Sequence, residues 1–458
     1  MPITRRSFLY GAAALQTRRT RPNILLLLAD NWAWPHASAY RDPLIRTPIF
    51  DRLAKEGVVF THSFAPNPSC SPSRSLLLSG QETHRLGRSA SLYGELAPHV
   101  PTYTGLLEKS GYLVGFSDKG WGSGSPEKAG WPHNPAGVRH KDFTSFLKAR
   151  NAGQPFCFWF GSHDPHVPWN RGLERKSRMS AADVKVPAHL PDHPAVRDDI
   201  LNYSCEVQQF DYECGQMLKL LAGRGELDNT LVVMTSDNGW QIPRGLGNCY
   251  DLGVRTPLAM RHPGLIKAGQ TRDDYVSIGD LAPTFLEAAG LAIPSAMTAS
   301  SLFSPKRRDA MFLERERHAN VRKGDVGYPS RAIRTKEFLY IWNLRPERWP
   351  AGDPEMWKAV GGFGDCDNGP TKSEIVKNPG SKFFSLAFGK RPEEELYDLK
   401  RDPSQMQNVA ADPKYATDKK EMRRRLEKWM TDTKDPRLGG KGDEFEKYTY
   451  YGPIQPEK

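Results

Sequence analysis

The sequence predicts an α/β protein in which helices cover both faces of a sheet, followed by a smaller α+β domain. Short apolar runs alternate with helical patterns along most of the chain, which is typical of covered sheets. The later part of the chain instead carries two strand-like runs in close succession. A length of 458 residues also exceeds what one compact core usually holds. We therefore expect domains at residues 21–324 and 325–458, after an N-terminal segment at 1–20.

Four apolar runs are expected to form strands of the first domain, at residues 23–29, 112–116, 156–160 and 230–235. Helices are expected at residues 48–56, ending before Gly57, at 198–221 and at 280–289. Residues 294–309 are rich in Pro, Ser and charge, which indicates a loop leading away from this core. In the second domain, we expect paired strands at 330–334 and 338–342, a strand at 395–398 and a helix at 418–431.

Polar side chains follow each of the four strands of the first domain directly. They are Asp30-Asn31, Asp118-Lys119, Ser162-His163-Asp164-Pro165-His166 and Ser236-Asp237-Asn238-Gly239. Because ligands bind at the carboxyl ends of strands in open α/β sheets, we expect these groups to meet at one edge. Taken singly, such aspartates are more often turn formers, and such histidines are more often hydrogen-bonded loop residues. Their agreement at four strand ends favours a functional site.

Two kinds of chemistry are indicated by the residue types. Carboxylate and amide oxygens are hard ligands that suit Ca²⁺ or Mg²⁺, and no Cys/His set with zinc spacing competes with them. In Cys70-Ser71-Pro72-Ser73-Arg74, a cysteine stands just ahead of a helix start, with an arginine four positions later. Amide donors and a guanidinium favour an anion, so Cys70 is a candidate activated thiolate, although a lone cysteine is more often buried and inert.

Together these segments resemble the type I sulfatases, whose signature Cys-x-Pro-x-Arg carries a cysteine that is converted after synthesis to formylglycine. The resemblance runs from Arg21 onward, includes the pattern Glu-Leu-Tyr-Asp-Leu-x-x-Asp-Pro ending at Pro403, and is nearest to the N-sulfoglucosamine sulfohydrolase-like branch. It implies an alkaline-phosphatase-like core with a mixed, mostly parallel sheet, and a C-terminal α+β subdomain with an antiparallel sheet. It also implies a calcium ion, with Mg²⁺ less favoured, and a sulfatase that acts on sulfate esters or sulfamate of a carbohydrate.

The resemblance assigns roles to individual residues. In the family, the hydrated aldehyde binds the metal and attacks sulfur, and an arginine holds the modified residue; Cys70 and Arg74 match these positions. The matched metal ligands are Asp30, Asn31, Asp237 and Asn238, together with an oxygen of modified Cys70. The remaining catalytic candidates are Lys119, His163 and His166, of which His166 is favoured for contact with the sulfate and the leaving group. A formylglycine-generating or other sulfatase-maturating enzyme is an implied partner.

Three positions depart from the family pattern. Asn31 replaces an aspartate and brings no charge, so metal affinity is expected to fall. Leu246 stands where relatives carry a lysine or arginine that contacts sulfate, and Arg244 is the predicted substitute. Trp121 stands where many sulfatases have histidine, and together with His318 it is a predicted substrate contact.

Composition limits the partners. The formal net charge of +11 and a pI near 9.2 favour encounter with a polyanion, whether nucleic acid, anionic membrane or sulfated polysaccharide. No nucleic-acid-binding motif or sustained basic arm occurs, so no nucleic acid partner is expected. No later apolar run is long enough to span a bilayer, so no stable membrane insertion is expected. The six cysteines lack framework spacing, so a disulfide-built fold is not expected.

The first residues resemble a twin-arginine export signal. Thr4-Arg5-Arg6-Ser7-Phe8-Leu9 precedes a short apolar run, which predicts a periplasmic or secreted protein, although Arg18 and Arg19 end that run early. Two rival functions stay open at this point. One is a phosphatase or phosphonate hydrolase of the same fold, and the other is a catalytically impaired homologue that binds sulfated glycans.

Overall fold

The structure, a computed structural model, describes residues 21–169, 173, 177, 179–358, 361–440 and 442–452. The predicted export segment at 1–20 lies outside these residues. No helix among the described residues combines the length and apolar character needed to cross a bilayer.

The large sheet has nine strands and is mixed but mostly parallel. They are β1 (Asn23–Ala29), β2 (Val58–Phe64), β3 (Leu113–Asp118), β4 (Val138–Arg139), β5 (Phe156–Gly161), β6 (Thr230–Ser236), β7 (Arg255–Arg261), β8 (Gln270–Arg272) and β9 (Val276–Ser277). The order is β4-β3-β5-β1-β6-β7-β2-β8, with β9 beside β2, and only β7 runs antiparallel to its neighbours. This confirms the predicted architecture and the four predicted strands, whose ends shift by two residues at most.

Strand β1 lies at the centre of the sheet, between β5 and β6. All seven of its residues are buried, because helices cover both faces and leave neither face to solvent. Alternate side chains enter different cores: Leu25 and Leu27 pack on one face, and Ile24, Leu26 and Leu28 on the other. An uninterrupted apolar run is therefore the signal of a central strand here, where strict alternation would indicate a half-exposed one.

Eleven helices accompany the two sheets within the described residues. They are α1 (Pro48–Glu56), α2 (Cys70–Ser79), α3 (Tyr103–Lys109), α4 (Pro126–Ala129), α5 (Phe143–Lys148), α6 (Pro194–Gly223), α7 (Asp251–Val254), α8 (Leu281–Ala288), α9 (Pro370–Val376), α10 (Lys382–Phe388) and α11 (Ala416–Asp432). Helices α1 and α6 cover one face of the large sheet, and α2, α3 and α8 cover the other. The helix predicted at 198–221 begins four residues earlier, at Pro194, because His193 caps the N–H of Ala195.

The small sheet is antiparallel, in the order β10 (Ala310–Arg315), β11 (Ser330–Thr335), β12 (Phe338–Asn343) and β13 (Glu394–Asp398). Helix α11 covers one face through three apolar residues, Met422, Leu426 and Met430. The predicted strand pair, third strand and helix are all present. Strand β10, however, lies before residue 325, so this sheet begins inside the range that we expected to belong to the first domain. Its pairing with β11 along all six residues explains why this short run is a strand.

The other face of the small sheet packs against the large domain. Met311 and Leu313 of β10 share a core with Phe64 at the end of β2, and with Tyr250 and Val254. Because β2 ends at the same edge as β1, the small sheet lies beside the strand ends where the polar groups were predicted to meet. Residues that follow β10 are therefore placed to contribute to a site at that edge.

Candidate active site

Three side chains with metal-binding atoms meet at the carboxyl edge of the large sheet. Asp30 follows β1, Asp237 follows β6, and Cys70 is the first residue of α2. Because β1 and β6 are parallel neighbours with Ala29 opposite Ser236, the two aspartates leave the sheet side by side. One ligand atom from each of Asp30, Cys70 and Asp237 lies within 4.8 Å of the others. That spacing allows one cation to contact all three residues.

The Cys70 side chain is buried against the two aspartates. Its Sγ lies 3.5 Å from Asp30 Oδ1, to which it donates, and 3.6 Å from Asn238 Nδ2, from which it accepts. Burial raises the pKa of the Cys70 thiol well above its usual value, Lys119 opposes the rise, and Asp30 and Asp237 add to it. Desolvation and the two carboxylates therefore favour the protonated thiol over the predicted activated thiolate.

Arg74, one helical turn after Cys70, ties α2 to two strand ends. Its Nε donates to Asp237 Oδ2 at 2.8 Å, and its Nη1 donates to the carbonyl oxygens of Lys119 at 2.8 Å and Gly120 at 2.7 Å. The guanidinium is fully buried, and its Nη2 has no hydrogen-bond partner. Arg74 thus holds the start of α2, and with it residue 70, in a fixed position relative to Asp237.

The two aspartates have opposite electrostatic surroundings. Lys119 Nζ donates to Asp30 Oδ2. Burial alone would raise the pKa of Asp30, but Lys119, His166 and Arg74 outweigh burial and hold it well below its usual range. Burial and the Asp30 charge raise the pKa of Asp237, against the opposing effect of Arg74. Two buried carboxylates this close to each other are a favourable place for a divalent cation.

Amide oxygens complete a ligand set for a hard cation. Asn31 Oδ1 and Asn238 Oδ1 are both buried and have no hydrogen-bond partner, which is rare for buried oxygens. The Asn31 amide is held by Gln241, whose Oε1 accepts from Asn31 Nδ2 at 2.5 Å. The two unpaired amide oxygens, together with Asp30 and Asp237, form the all-oxygen set that Ca²⁺ prefers. The residues therefore fit a calcium ion better than a soft metal.

Asn31 occupies a backbone conformation that suits its residue type. Its φ of 75° lies in the left-handed region, which asparagine and aspartate tolerate better than most residues. The backbone N–H of Asn31 is also satisfied, since it donates to Asp237 Oδ1 at 3.2 Å. The replacement of aspartate by asparagine thus preserves the turn while removing one charge. Gln241, which orients the amide, was missed by the sequence analysis because no local pattern marks it.

The two predicted histidines lie in the loop after β5. His166 Nδ1 lies 2.5 Å from Val167 O, and its Nε2 lies 4.0 Å from Asp367 Oδ2. With Nδ1 donating to that carbonyl, Nε2 is the atom of His166 that can exchange a proton with a ligand. His163 is exposed, and burial of part of its ring, with Lys119, lowers its pKa. His166 is among the cations that lower the pKa of Asp30, and the Asp30 charge in turn opposes the fall in the pKa of His163.

Trp121 does not face a ligand. It is 2% exposed, packs in the core under α2, and donates from Nε1 to Ser75 Oγ at 2.7 Å. The prediction of Trp121 as a substrate contact is therefore wrong. The indole instead packs against α2 in the core, and its one polar atom, Nε1, already has a hydrogen-bond partner.

Arg244 does not replace the basic residue that is lacking at position 246. Its guanidinium donates to Leu386 O at 3.1 Å and to Gln405 O, and it lies 3.8 Å from the centre of the Tyr250 ring. These contacts anchor the second sheet and α10 rather than a ligand, so the predicted role of Arg244 is wrong. Its φ of 75° turns the chain at this point, and Leu246 itself is buried.

His318 reaches the neighbourhood of Cys70 through Ser69. Its Nδ1 lies 2.8 Å from Ser69 Oγ, directly before Cys70, and the ring is buried. Two arginines beside it were missed by the sequence analysis: Arg315 Nη2 and Arg322 Nη2 donate to Asp365 Oδ2 at 2.7 and 2.6 Å. Arg315 Nε and Nη1, and Arg322 Nη1, have no hydrogen-bond partner. Only the packing of β10 beside the strand ends brings these cations near the site.

Comparison with known proteins agrees with this geometry. The profile of the sulfatase family matches residues 22–291, and that of the N-sulphoglucosamine sulphohydrolase C-terminal region matches residues 247–341. Human N-sulphoglucosamine sulphohydrolase is 29% identical over 91% of this chain and 92% of its own length. The chain therefore belongs to the sulfatase family and is a sulfuric ester hydrolase.

Solved structures share the fold at low identity. A protein in complex with its substrate D-glucosamine-2-N,6-O-disulfate superposes with a TM-score of 0.64 and 21% identity, over 91% of this chain and 98% of that one. The phosphonate monoester hydrolase of Silicibacter pomeroyi superposes with a TM-score of 0.65 and 18% identity, over 91% and 96%. The fold thus accommodates both sulfate and phosphonate chemistry, and the choice between them depends on the site.

Proposed function

We propose that this protein is a formylglycine-dependent, calcium-dependent sulfatase that acts on sulfated glycans. The observation that carries the proposal is the surroundings of Cys70. A residue of the sulfatase signature lies buried between two carboxylates, Asp30 and Asp237, and beside two buried amide oxygens without partners. A buried neutral thiol has no evident nucleophilic role there. Its conversion to formylglycine would supply a hydrated aldehyde whose oxygen attacks sulfur.

Asp30, Asn31, Asp237 and Asn238 would hold the calcium ion. When bound, this ion would supply positive charge next to the sulfate oxygens. Asp30 is suited to the role because its low pKa keeps it ionised. The pKa of Asp237, which burial and the Asp30 charge raise, would fall next to that ion. We propose Ca²⁺ rather than Mg²⁺ because Ca²⁺ accepts carboxylate and amide oxygens in varied geometries. Mg²⁺ instead demands a nearly octahedral arrangement of its ligands.

The remaining side chains would position and neutralise the substrate. Lys119 already bears its charge beside Asp30 and would turn toward the oxygens of a bound sulfate. Arg74 would keep residue 70 in place through its bonds to Asp237 and to the loop after β3. His166 would protonate the leaving oxygen or nitrogen from Nε2, the ring nitrogen left free by the Nδ1 bond to Val167 O. His163 and His318 are proposed contacts of the departing sugar.

The substrate class is proposed from charge and from the relatives. The chain carries a formal net charge of +11, which favours approach to a sulfated polysaccharide. The name of human N-sulphoglucosamine sulphohydrolase refers to a sulfated glucosamine, and the substrate in the solved complex is a glucosamine disulfate. We therefore propose a sulfated amino sugar, with O-sulfate and N-sulfate both to be tested. We further propose maturation by a formylglycine-generating enzyme, and export directed by the twin-arginine-like segment with Arg5 and Arg6.

Mass spectrometry of the peptide that contains Cys70, from natively produced protein, tests the first step. The expected result is formylglycine at position 70, accompanied by sulfate release from a panel of defined sulfated saccharides in the presence of calcium. An unmodified thiol in fully active protein would refute the mechanism. The corresponding phosphate and phosphonate esters should be turned over more slowly; the reverse preference would favour the phosphonate hydrolase that the shared fold also permits.

A catalytically impaired glycan-binding homologue is the second candidate, and one observation favours it. Leu246 is buried and uncharged, and Arg244 is engaged elsewhere, so the usual basic contact is absent from that position. Binding of sulfated saccharide without turnover, by protein with verified formylglycine and calcium, would establish this candidate. Leu246→Lys should raise kcat/KM if the position only attenuates catalysis, and Leu246→Met is the matched control.

A further inference from the structure

A second cavity lies at the junction between the two sheets, and it has no role in the chemistry described above. Its volume is about 710 Å³, within the usual range for sites that enclose a small ligand. It is bounded by the segment after β1, the loop before α6, the start of β7 and the turn between β11 and β12. None of the proposed catalytic or metal-binding residues lines it. We refer to it as the junction cavity.

The charge around the junction cavity is unbalanced. Five cationic side chains and only two carboxylates, Asp42 and Asp251, line it. Arg255 and Arg334 share Asp251. The other three cations are Arg41, Lys185 and Lys336. These three are exposed, and within the described residues none of them forms an ion pair, so the cavity has an excess of positive charge at its rim.

Polar atoms inside the junction cavity also lack partners. Trp34 Nε1 and Gln405 Nε2 can only donate a hydrogen bond, both are buried, and neither has an acceptor. His189 Nε2 is likewise unpaired, in a side chain that is 4% exposed. Buried polar atoms are almost always hydrogen-bonded in folded proteins. Three unpaired nitrogens in residues that line one cavity therefore indicate a ligand rich in acceptor atoms.

A single layer of aromatic rings separates the junction cavity from the proposed metal ligands. Trp240 and His36 line the cavity, and both rings contact Tyr203, at centroid distances of 4.8 and 5.4 Å. The Tyr203 hydroxyl in turn lies 3.0 Å from Ala33 N, from which it accepts, and 3.5 Å from Asn31 O. The two sites are thus neighbours at the same edge of the large sheet, with separate linings.

We propose that the junction cavity is a second saccharide subsite, which binds an anionic sugar of the same glycan chain from which the sulfate is removed at residue 70. This inference rests on the proposed function, because that function supplies a polyanionic, acceptor-rich chain. Lys185, Lys336 and Arg41 attract the sulfate or carboxylate groups of the sugar, and Trp34 and Gln405 donate to its oxygens. The cavity therefore selects longer chains over single sugars, without a role in sulfur chemistry.

Two lysines allow a clean test, since both are exposed, unpaired and outside the catalytic machinery. The test variant is Lys185→Ser with Lys336→Ser. The matched control is Lys148→Ser with Lys306→Ser, which removes the same charge from exposed positions away from the junction cavity. Each pair is placed in calcium-loaded Cys70→Ala protein. Titration calorimetry then measures Kd for a sulfated tetrasaccharide and for the corresponding sulfated monosaccharide.

The test pair should weaken tetrasaccharide binding roughly tenfold and reduce its salt dependence, because two exposed ion pairs are lost. Monosaccharide binding should not change, and the control pair should change neither Kd. In catalytically competent protein, kcat/KM for the tetrasaccharide should fall by the same factor, with no change for the monosaccharide.

Several outcomes would overturn the subsite. They are a tetrasaccharide Kd that does not respond to the test pair, an equal loss in the control pair, and no tetrasaccharide binding at all. The proposed function fails in a different way. If no saccharide releases sulfate, but tetrasaccharide binding still depends on Lys185 and Lys336, the subsite stands as a binding site and the sulfatase proposal falls.

Discussion

Two buried groups of charged side chains in this molecule differ in one respect, and the difference separates a site from a structural link. The catalytic cluster consists of Asp30, Arg74, Lys119 and Asp237, with Asn31 and Asn238 beside them. The interdomain cluster consists of His84, Glu314, Glu316, Arg331, Asp435 and Arg437. Both are almost fully buried, and both combine carboxylates with guanidinium groups.

The interdomain cluster is saturated with hydrogen bonds. Arg331 donates to Glu316 and Asp435, and Arg437 donates to both oxygens of Glu316. His84 Nδ1 lies 2.7 Å from Glu314 Oε2. Among the described residues, no side-chain nitrogen or oxygen of this cluster is buried without a partner. The cluster links the first domain to β10, β11 and the segment after α11, and it has no capacity left for a ligand.

The catalytic cluster, by contrast, contains buried polar atoms that lack hydrogen-bond partners. Asn31 Oδ1, Asn238 Oδ1 and Arg74 Nη2 are buried without partners. Leaving such groups unpaired costs free energy, so their persistence in a tightly packed core indicates that something else completes them. We infer that pairing, rather than burial or charge alone, distinguishes the two clusters. The following changes test that comparison.

Removal of the residue 70 side chain should have the largest effect and should leave the fold intact. Cys70→Ala should lower sulfate release by roughly 10⁴-fold, as expected when a nucleophile is lost. The free energy of unfolding should change by no more than about 1 kcal/mol, because the thiol makes only long hydrogen bonds. Sulfate-release kinetics and urea unfolding measure the two quantities. Retained turnover would remove Cys70 from the mechanism, and Cys249→Ala, at another buried cysteine, is the control.

Breaking the interdomain cluster should have the opposite effect to Cys70→Ala: stability should fall, and the metal site should stay intact. Arg331→Met leaves Asp435 buried without its arginine and removes one of the two arginines that bind Glu316, so the free energy of unfolding should fall by about 3–5 kcal/mol. The metal ligands are untouched, so the fraction that stays folded should bind calcium normally. Arg424→Met, which breaks the exposed pair with Glu421, should cost no more than about 1 kcal/mol. Equal losses in the two variants would show that the interdomain cluster is not a structural link.

The hydrogen bond that orients the Asn31 amide can be removed without changing a proposed metal ligand. Gln241→Leu removes the acceptor that orients Asn31, so calcium affinity should fall by roughly tenfold or more. Stability without calcium should stay close to that of the native protein. The increase in Tm on addition of calcium measures the affinity, with Gln209→Leu, a glutamine on α6 paired with Glu213, as control. A calcium response unchanged in Gln241→Leu would contradict the assignment of Asn31 as a ligand.

The smallest expected effect is a pH dependence of the interdomain cluster. Burial lowers the pKa of His84, but Glu314 and Asp435 outweigh burial and Arg331, and raise it above 6.5. The stabilisation is therefore complete below pH 6.5 and is lost as the pH rises through the higher folded-state pKa. The groups that face the ring include Thr433 O and Trp429, neither of which titrates in this range.

Tm measured from pH 6 to 9 tests this effect. The Tm of the native protein should fall more across that range than the Tm of His84→Gln, which keeps a hydrogen bond to Glu314 without the titration. His140→Gln, at a half-buried histidine away from the cluster, is the control. Parallel profiles of the native protein and His84→Gln would exclude a protonated His84.

Local sequence patterns sufficed for four of the nine strands of the large sheet and for part of the site. The run from Asn23 to Ala29 is apolar at every position but the first, and such a run has one stable place, the centre of a sheet covered on both faces. Parallel pairing of β1 with β6 then places Asp30 beside Asp237 without further information. The helix that begins at Cys70 brings Arg74 one turn later onto the same side.

Side-chain directions beyond the strand ends were not accessible in this way. Arg244 and Trp121 lie close in sequence to metal ligands or to Lys119, and both point into packed protein instead. The predicted boundary at residue 325 also separated strand β10 from the rest of its sheet. The pairing with β11 is needed to recognise β10 as a strand of that sheet. In each case the decisive contact joins residues far apart in the chain, as Arg244 does with Gln405.

The amino-acid pattern alone was enough to specify the covered α/β sheet, the polar residues at its edge and the sulfatase signature, because periodicity and strand-end position are local properties. Tertiary structure decided which polar atoms are paired. The saturated bonds of Arg331, the unpaired oxygens of Asn31 and Asn238, and the junction cavity all depend on segments more than a hundred residues apart. Hydrogen-bond partners are set by packing across the whole chain, and no local pattern records them.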